Sequence, residues 1–286
     1  MRSILLGPSL FLLVCIIAYP VYYAIVLSLT NTHLLMPNAS EFIGLKNYIE
    51  LFSNKDFYTA LYRSIVWVIS CVSFQLIAGL IGALIMDQNF KGRGLVRGIS
   101  LVPWATPSVL VALMWAWLLD GNYGVINDLL QKLGLIRHYI PWLAQGSTAL
   151  PSVILANIWQ GTPFFAVMLL ASLQSIPEEL YEAAKIDSAN SWQIFWYIKL
   201  PFLLPTILIT SMLRIMWTAN YMDLIYIMTG GGPGSSSMIL PVYSYIKAYK
   251  KLEMGQGAAV AIIQVVLLLI VVLWYLRLLK KRGRDF

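Results

Sequence analysis

Long apolar runs alternate along the chain with shorter segments that hold most of the charged residues. A helix of about 20 apolar residues, rising ~1.5 Å per residue, crosses the ~30 Å hydrocarbon core of a bilayer, so each run predicts a membrane-spanning helix. The six predicted spans are 4–29, 64–86, 98–119, 150–172, 205–228 and 257–278. The pattern predicts an all-α, polytopic membrane protein in which residues 1–286 form a single transmembrane domain.

The first run raises the alternative of a secretory signal peptide. It is longer than the ~7–15 residues of a signal-peptide apolar region, and no small-residue cleavage site follows it, so we favour a spanning helix. Pro103, Pro107 and Pro163 lie inside predicted spans, where neighbouring helices can satisfy the freed backbone groups. Trp104 and Trp142 lie near span ends and are predicted to be interfacial anchors.

Composition supports the membrane assignment. Hydrophobic residues make up 59% of the chain and charged residues only 12%, whereas a soluble domain carries about 25% charged residues. The net charge of +7 comes from basic residues beside apolar runs, which membrane topology explains without nucleic acid. Cys15 and Cys71 lie inside apolar runs and predict neither a disulfide nor a metal site.

The positions of Lys and Arg predict the orientation. With the amino terminus in the cytoplasm, eleven of the 20 Lys and Arg residues lie inside and eight outside, while Arg214 lies within a span. The inside residues occupy short segments beside span ends, where positive charge has most influence on topology. The sequence therefore predicts six spans with both termini in the cytoplasm.

Several kinds of chemistry are missing from the sequence. The chain contains no phosphate-binding G-x-x-x-x-G-K-[ST] motif, and the glycine-rich Thr229–Ser237 lacks its Lys and predicts a turn. The two His residues have no Ser or carboxylate partner nearby in sequence, which argues against nucleophilic catalysis. Within the spans the ionisable residues are chiefly Arg214 and Asp223, too few for a proton relay. Transport against a gradient would need energy from another chain.

The polar segment at about 175–201 predicts two short helices at the inner membrane face. Ser175 precedes Glu178 by three residues, the spacing of a capping box, and Ser188 is predicted to end the first helix. Asn190 precedes Gln193 by the same spacing and predicts the start of the second helix. An apolar stripe follows, and two prolines are expected to break the helix before span five: Trp192, Phe195 and Ile198, then Pro201 and Pro205. The segment is either an interfacial amphipathic connection or a docking site for a cytoplasmic partner.

The segment resembles the EAA signature of ATP-binding-cassette (ABC) importer permeases. The matching residues are Glu182-Ala183-Ala184, Asp187, Ala189, Phe195, Ile198, Leu200-Pro201 and Pro205. Ser188 stands where that signature usually has Gly, at a corner where a positive φ would cost Ser about 1 kcal/mol. Over nearly its whole length the chain is similar to permeases of carbohydrate importers of the maltose and glycerol-3-phosphate type, through the segments 42–48, 103–107, 122–127 and 229–233.

The resemblance implies a type I ABC importer permease in a bacterial or archaeal cytoplasmic membrane that carries an oligosaccharide or sugar derivative. The implied partners are a second, homologous permease in a heterodimer, two cytoplasmic ATP-binding-cassette subunits and an extracytoplasmic solute-binding protein. ATP and Mg would be bound by the ATPase, so this chain would hold no cofactor or metal and would be a transporter subunit rather than an enzyme. The residues implied to dock on the ATPase are Glu182, Ala183, Ala184, Asp187 and Ser188.

Span five carries candidates for the solute route. Arg214, Trp217, Thr218 and Tyr221 lie at i, i+3, i+4 and i+7, which places them on one helical face. Span four adds Gln160 and Phe164 beside a possible break at Gly161-Thr162-Pro163, whereas Asn220 and Asp223 are predicted to point to a different face. The alternative for Arg214 is a packed helix interface in which it is paired structurally. A buried Arg also permits an anionic solute such as a sugar phosphate or uronate.

Two other functions stay open at this stage. The same coupling segment would serve an importer of another solute class, namely amino acids, peptides or metals. A non-transporting membrane scaffold or a membrane enzyme is the second alternative, but a scaffold would not need the spaced EAA anchors, and an enzyme would need a cluster of catalytic groups.

Overall fold

The computed structural model describes residues 14–282, without the side chains of residue 37 and residues 278–282. Within these residues the regular structure is helical, apart from three isolated β-bridges. In chain order the helices are α1 Val14–Ser28, α2 Lys46–Phe52, α3 Lys55–Met86, α4 Arg93–Ala105, α5 Ser108–Leu118, α6 Val125–Lys132, α7 Ala149–Leu173, α8 Glu178–Ile186, α9 Ser191–Ala219, α10 Asp223–Thr229, α11 Leu240–Tyr245 and α12 Met254–Arg282. The predicted all-α class is confirmed.

Four of these helices, α3, α7, α9 and α12, are long and apolar enough to cross a membrane, and α4 with α5 makes a bent pair that passes the same test. They correspond to the second to sixth predicted spans. The described part of the first predicted span is the shorter apolar helix α1, and residues 4–13 of that prediction lie outside the described residues.

The third predicted span, 98–119, is not one straight helix. Helices α4 and α5 meet at an angle of 93°. Thr106 between them is extended, with φ −76° and ψ 128°, because the residue before a proline is pushed out of the helical region. Pro107 follows with φ −54° and ψ 140° and precedes the first residue of α5. The break exposes backbone groups to other side chains.

The fifth predicted span, 205–228, starts and ends elsewhere. Helix α9 begins at Ser191 and runs through Pro201 and Pro205, so the prediction that these prolines end the preceding helix is wrong. A π-helical turn at Phe195–Lys199 precedes them, and within it the Leu200 N–H donates to the Phe195 carbonyl. The wider turn accommodates a proline that lacks its own N–H.

Helix α9 then stops at Ala219, and the chain resumes as α10 only at Asp223. The predicted break at Gly161-Thr162-Pro163 is also wrong, because α7 is continuous from Ala149 to Leu173 with Pro163 inside it. Two-thirds of the most apolar stretch of α7 is buried. Neighbouring helices that pack around it stabilise the helix despite the proline.

The described residues form two compact units. The first contains residues 14–64 and 238–270, and its buried cluster comprises Leu51, Phe57, Ala60, Leu240, Tyr243, Ala259 and Val260. Two side chains close this unit through the backbone. Asn47 donates from Nδ2 to the carbonyls of Ser28 and Thr30, and Ser64 Oγ accepts from the Leu240 N–H at 2.8 Å.

The second unit contains residues 65–237 and 271–282. Its buried cluster lies mainly on α3, α7 and α9 and comprises Val72, Ala83, Met86, Phe164, Phe165, Ala166, Leu169, Leu170, Leu173, Ile176 and Leu203. The unit therefore holds both regions singled out in the sequence, the segment at 175–201 and the polar face of span five. That residues 1–286 make a single domain stays a prediction.

The glycine-rich loop after α10 is an ordered turn, as the sequence predicts. Gly230 ends α10 at φ +63°, a conformation that glycine adopts without strain. Thr229 Oγ1 and Ser237 Oγ lie 2.7 Å apart, and Ser237 Oγ also lies 2.8 Å from the carbonyl of Gly232, which accepts its hydrogen bond. These contacts close the loop from Thr229 to Ser237.

Candidate functional site

The corner after α8 is a left-handed helix end centred on Ser188. Its φ is +56°, the region that the usual Gly of the EAA signature would occupy without strain. The Ala189 N–H donates to the Ala184 carbonyl at 2.9 Å, and the Ser188 N–H donates to the Lys185 carbonyl at 3.1 Å. This pair of hydrogen bonds is the Schellman pattern, with Ser188 at the position where Gly is most common.

The start of α8 differs from the prediction. The Ser175–Glu178 capping box is wrong, because Ser175 Oγ donates to the Ser172 carbonyl at 2.8 Å and Pro177 is the residue before the helix, without a side-chain cap.

The start of α9 follows the prediction closely. Asn190 and Gln193 form a reciprocal capping box, with hydrogen bonds of 2.8 and 2.9 Å between each side chain and the other residue's N–H. The predicted apolar stripe is only partly covered. Trp192 is 69% exposed, whereas Ile198 packs against the buried cluster of the second unit.

The predicted docking residues differ in exposure. Glu182, Ala183, Asp187 and Ser188 are exposed, whereas Ala184 is buried. Ile186 lies among them and is 84% exposed, which the sequence analysis did not single out. An apolar residue at a polar helix corner is the available sequence signal. The exposed surface of α8 therefore combines acidic groups and Lys185 with two larger apolar side chains, Leu180 and Ile186.

A cavity of about 400 Å³ lies in the second unit, where the breaks in two spans meet. Its wall is polar and aromatic in the middle of apolar helices. The lining residues are Trp104, Asn157, Gln160, Arg214, Met216, Trp217, Thr218, Asn220 and Tyr221. The four residues predicted to share one face of span five all line this cavity.

Arg214 is 8% exposed and is held by neutral amides. Its Nε donates to Gln75 Oε1 at 2.9 Å, and Gln75 Nε2 in turn donates to both the carbonyl and Oδ1 of Asn157 at 2.8 Å. Among the described residues no carboxylate forms an ion pair with Arg214. The network connects α9, α3 and α7 and leaves the cation without a neutralising partner in that part of the chain.

Gly161 makes this network possible. A Cβ added at Gly161 would collide with Arg214 Nη2 and Gln75 Nε2. The absence of a side chain lets both polar groups lie directly against the backbone of α7. This glycine therefore has a packing role in the middle of a continuous helix.

The two helix breaks are joined by one side chain. The Tyr221 hydroxyl donates to Gln160 Oε1 at 2.7 Å, and Gln160 Nε2 donates to the Thr106 carbonyl at 3.2 Å. Tyr221 follows the end of α9, and Thr106 lies at the bend between α4 and α5. Gln160 thus donates a hydrogen bond to a carbonyl at one break and accepts a hydrogen bond from a side chain at the other.

An aromatic wall borders the cavity. Trp217 is 47% exposed and meets Phe164 edge to face, with ring centroids 5.1 Å apart. Phe164 also lies 6.2 Å from the ring of Trp104. Phe164 itself is buried in the core cluster, so it supports the two tryptophans from behind instead of lining the cavity.

The end of α9 corrects one expectation. Asn220, predicted to point to a different face, lines the cavity because the helix has already ended at Ala219. Asp223 is exposed and accepts from Ser108 Oγ at 3.1 Å, which joins α10 to α5.

Thr218 Oγ1 is buried without a hydrogen-bond partner among the described residues, although the Thr218 carbonyl accepts from Trp67 Nε1.

Besides Asn220, the sequence analysis missed four residues of the site, namely Gln75, Asn157, Trp104 and Met216. Gln75 and Asn157 are almost fully buried amides in the second and fourth spans, and a polar amide in an apolar span was the available signal. Trp104, predicted to be an interfacial anchor, lines the cavity beside the bend at Thr106.

Comparison with known proteins assigns this arrangement to a family. Residues 75–285 match the family described as binding-protein-dependent transport system inner membrane component. The match covers most of the chain, including both candidate regions. The chain belongs to this family.

Several curated members of the family are similar along almost their whole length. The trehalose/maltose transport system permease protein MalF of Thermococcus litoralis is 35% identical, over 94% of this chain and 90% of its own. The sulfoquinovosyl glycerol transport system permease protein SmoG of Agrobacterium fabrum is 34% identical, over 98% and 90%. The diacetylchitobiose uptake system permease protein DasB of Streptomyces coelicolor is 32% identical, over 99% and 87%.

Solved structures show the same fold. A chain of a bacterial alginate ABC transporter, in complex with an alginate pentasaccharide-bound periplasmic protein, superposes with a TM-score of 0.82 at 23% identity, over 96% of this chain and 93% of its own. A chain of the MetNI methionine ABC transporter gives a TM-score of 0.59 at 16% identity, over 78% and 94%. The family's permease fold is therefore the fold of this chain, a multi-pass membrane protein of the inner-membrane component type.

Proposed function

We propose that this chain is the membrane-spanning permease subunit of an ATP-driven, binding-protein-dependent importer that carries a sugar or sugar derivative across the cytoplasmic membrane. The observation that carries the proposal is the cavity at the two helix breaks, where tryptophan rings, amides, a hydroxyl and a cation converge within apolar helices. A transporter subunit needs such a site, whereas a membrane scaffold has no use for it.

The composition of the cavity favours a sugar. Aromatic rings pack against the apolar C–H faces of a sugar, and a few placed polar groups bind its hydroxyls. Trp217 and Trp104 supply the rings, and Gln160 and Tyr221 supply hydrogen-bonding groups. The volume of about 400 Å³ lies within the ~300–1,000 Å³ of ligand pockets. Three relatives are named as permeases for sugars or sugar derivatives, which supports a solute of this class for the present chain.

The solute path runs along the lining of this cavity. Arg214, Trp217, Thr218, Tyr221 and Gln160 contact the solute, while Phe164 positions the tryptophans. The unpartnered Thr218 Oγ1 is available for a solute hydroxyl. Gln160 and Tyr221 already form a hydrogen bond with each other. A solute that binds there replaces this hydrogen bond with hydrogen bonds from its own hydroxyls.

Helix α8 and its corner are the docking site for a separate ATPase. Glu182, Ala183, Asp187 and Ser188 present exposed groups, and Ile186 adds an apolar side chain that a partner groove would cover. The buried Ala184 contributes by letting α8 lie close to the rest of the chain. ATP and Mg bind to that ATPase. The complete importer contains two ATPase subunits, a second homologous permease and an extracytoplasmic solute-binding protein.

Uptake by the purified complex tests the proposal. The tagged chain is purified from its native host with its partners and reconstituted in proteoliposomes, with the solute-binding protein added outside. Trehalose, maltose, sulfoquinovosyl glycerol and diacetylchitobiose are tested against methionine and histidine, with and without ATP. We expect ATP-dependent accumulation of at least one sugar and of neither amino acid.

Two results would contradict the proposal at different levels. Accumulation of an amino acid without any sugar would assign the importer to another solute class. Purification of the chain without an ATPase would instead support a scaffold.

A further inference from the structure

The carboxyl end of α3 is joined to the segment at 175–201 by an ion pair. Asp87 directly follows α3, and its Oδ2 lies 3.5 Å from Lys199 Nζ in the π-helical turn of α9. Each side chain is 22% exposed. Water and salt therefore screen this ion pair less than the pair Lys132–Asp128, whose side chains are 71% and 42% exposed.

The same ammonium reaches α8. Lys199 Nζ lies 5.7 Å from the centre of the Tyr181 ring, within the range of a cation–π contact. Burial, and the nearby negative charge of Asp87, raise the pKa of Tyr181 above its ordinary value, as expected for a phenol enclosed beside a carboxylate. One lysine therefore contacts the end of one spanning helix and the side of the docking helix.

The end of α3 is also held from its other side. Arg97 of α4 donates from Nη2 to the Met86 carbonyl at 2.8 Å, which satisfies one of the carbonyls left open at a helix end. Tyr181 and Ile198 pack against the buried cluster that contains Met86. Four helices, α3, α4, α8 and α9, thus meet within one hydrogen-bonded and packed junction.

The two helices that leave this junction lead to the cavity. Gln75 lies twelve residues back from Asp87 along α3, and Arg214 lies fifteen residues beyond Lys199 along α9. At ~1.5 Å per residue these distances are about 18 and 22 Å along each helix. The end of α3 and the π-helical turn of α9, which Asp87–Lys199 joins, thus belong to the two helices whose side chains bond as Arg214–Gln75. A movement of α8 that is passed to this pair would reach both sides of the polar network.

We propose that Asp87 and Lys199 are positioning residues that transmit the movement of α8 to α3 and α9, and hence to the cavity. This inference rests on the proposed function, in which a separate ATPase moves α8. Tyr181 connects α8 to the pair through the Lys199 ammonium. The pair contacts neither solute nor ATP.

The test is a double-mutant cycle on transport coupling in the purified complex in proteoliposomes. The probe is whichever solute of the panel above the wild-type complex accumulates, and the readout is solute imported per ATP hydrolysed. Asp87→Asn and Lys199→Gln should each lower this ratio at least fivefold, with ATPase copurification and membrane level unchanged. Their combination should be no lower than the lower single variant, since either change removes the same contact.

Two controls separate charge from general disturbance. Lys199→Arg keeps the cation and should retain the wild-type ratio, and Lys132→Gln removes the exposed ion pair without effect. If Asp87→Asn lowers the membrane level, Tyr181→Leu and Tyr181→Phe carry the same test. Leucine removes the ring under the ammonium and should lower the ratio, whereas phenylalanine keeps the ring and should not.

The outcomes distinguish this inference from the proposed function. An unchanged ratio in both single variants, or a double-variant loss equal to the product of the single losses, would overturn the positioning role while wild-type uptake stands. If the wild-type complex imports no sugar, the proposed function fails first, before any variant is compared.

Discussion

Ser188 adopts a left-handed conformation at the corner that follows α8, with φ +56°. A non-glycine residue there costs about 1 kcal/mol, and Ser188→Gly removes this cost because glycine has no Cβ. We expect the Ala189 amide, which bonds the Ala184 carbonyl, to exchange about fivefold more slowly with solvent in Ser188→Gly. Hydrogen exchange by mass spectrometry measures the change, and Ser188→Ala, which keeps a Cβ, is the matched control. Equal exchange in the two variants would show that the corner is not strained.

Gly161 is a residue whose replacement should damage the polar network. In Gly161→Ala the new methyl group collides with Arg214 and Gln75, and overpacking of this kind costs ~1–3 kcal/mol. We expect a lower melting temperature of the detergent-purified complex and reduced uptake. The control is Gly82→Ala, where the added Cβ would lie 3.5 Å from Ala166 Cβ, an ordinary contact, and where the helix gains from alanine. Similar melting temperatures for the two variants would contradict the role of Gly161.

Replacement of Arg214 tests whether the solute is charged. Its side chain donates to the neutral Gln75, and among the described residues no carboxylate pairs with it, so its charge is available to an anionic solute. Arg214→Gln keeps a hydrogen-bond donor and removes the charge. If the cation binds the solute, uptake of sulfoquinovosyl glycerol, which carries a sulfonate, should fall at least tenfold more than uptake of neutral trehalose. An equal loss for both sugars would assign Arg214 a structural role only.

At the scale of the helix, α8 should couple the chain to its ATPase. Glu182→Lys reverses one exposed charge in the docking site and should leave the chain in the membrane while lowering ATP-dependent uptake, because the partner groove would meet the wrong charge. Immunoblots of membranes, copurification of the ATPase and uptake by proteoliposomes measure the three quantities. The control is Asp128→Lys, an equal charge change in the exposed helix α6. Unchanged uptake in Glu182→Lys would remove α8 from the coupling site.

The helices also show how far sequence reasoning extends. Positions of the apolar spans could be predicted because an apolar run of spanning length is a local property. The capping box at Asn190 was predicted from two residues three apart, but the same spacing at Ser175 and Glu178 gave a wrong prediction. The end of α9 at Ala219 was not predictable, because it depends on partners distant in sequence. Trp67 bonds the Thr218 carbonyl, and Tyr221 bonds Gln160. Neither contact leaves a signal near residue 220.

The proline rules show the same limit from the opposite direction. Pro107 accompanies a sharp bend, whereas Pro163, Pro201 and Pro205 lie inside continuous helices. The local chemistry of the four prolines is alike, and the surroundings decide. Around α7 packing maintains the helix, and in α9 a π-helical turn lies just before Pro201.

At the scale of the whole molecule, the face of span five was predicted correctly, but the cavity needed three dimensions. The spacing of Arg214, Trp217, Thr218 and Tyr221 placed them together. Gln75 and Asn157 come from other spans, and only their packing against α9 shows that they hold Arg214. The site therefore depends on contacts between segments about 60 to 140 residues apart, a range over which sequence periodicity carries no information.

The orientation predicted from Lys and Arg can be tested on the whole chain. Cys15 and Cys71 are first replaced by alanine, and single cysteines are introduced as Lys185→Cys in α8 and Lys132→Cys at the end of α6. Both positions are exposed, so a maleimide can reach them. Because the reagent does not cross the membrane, it labels each position only from the side on which that position lies. If basic residues near span ends set the topology, residue 185 should react only in inside-out vesicles and residue 132 only in intact cells stripped of their outer layers. The reverse pattern would place α8 outside, where no ATPase could reach it. Labelling of both positions from the same side would mean that an even number of spans separates α6 from α8. The structure has one spanning helix there, α7, so this result would contradict the predicted topology.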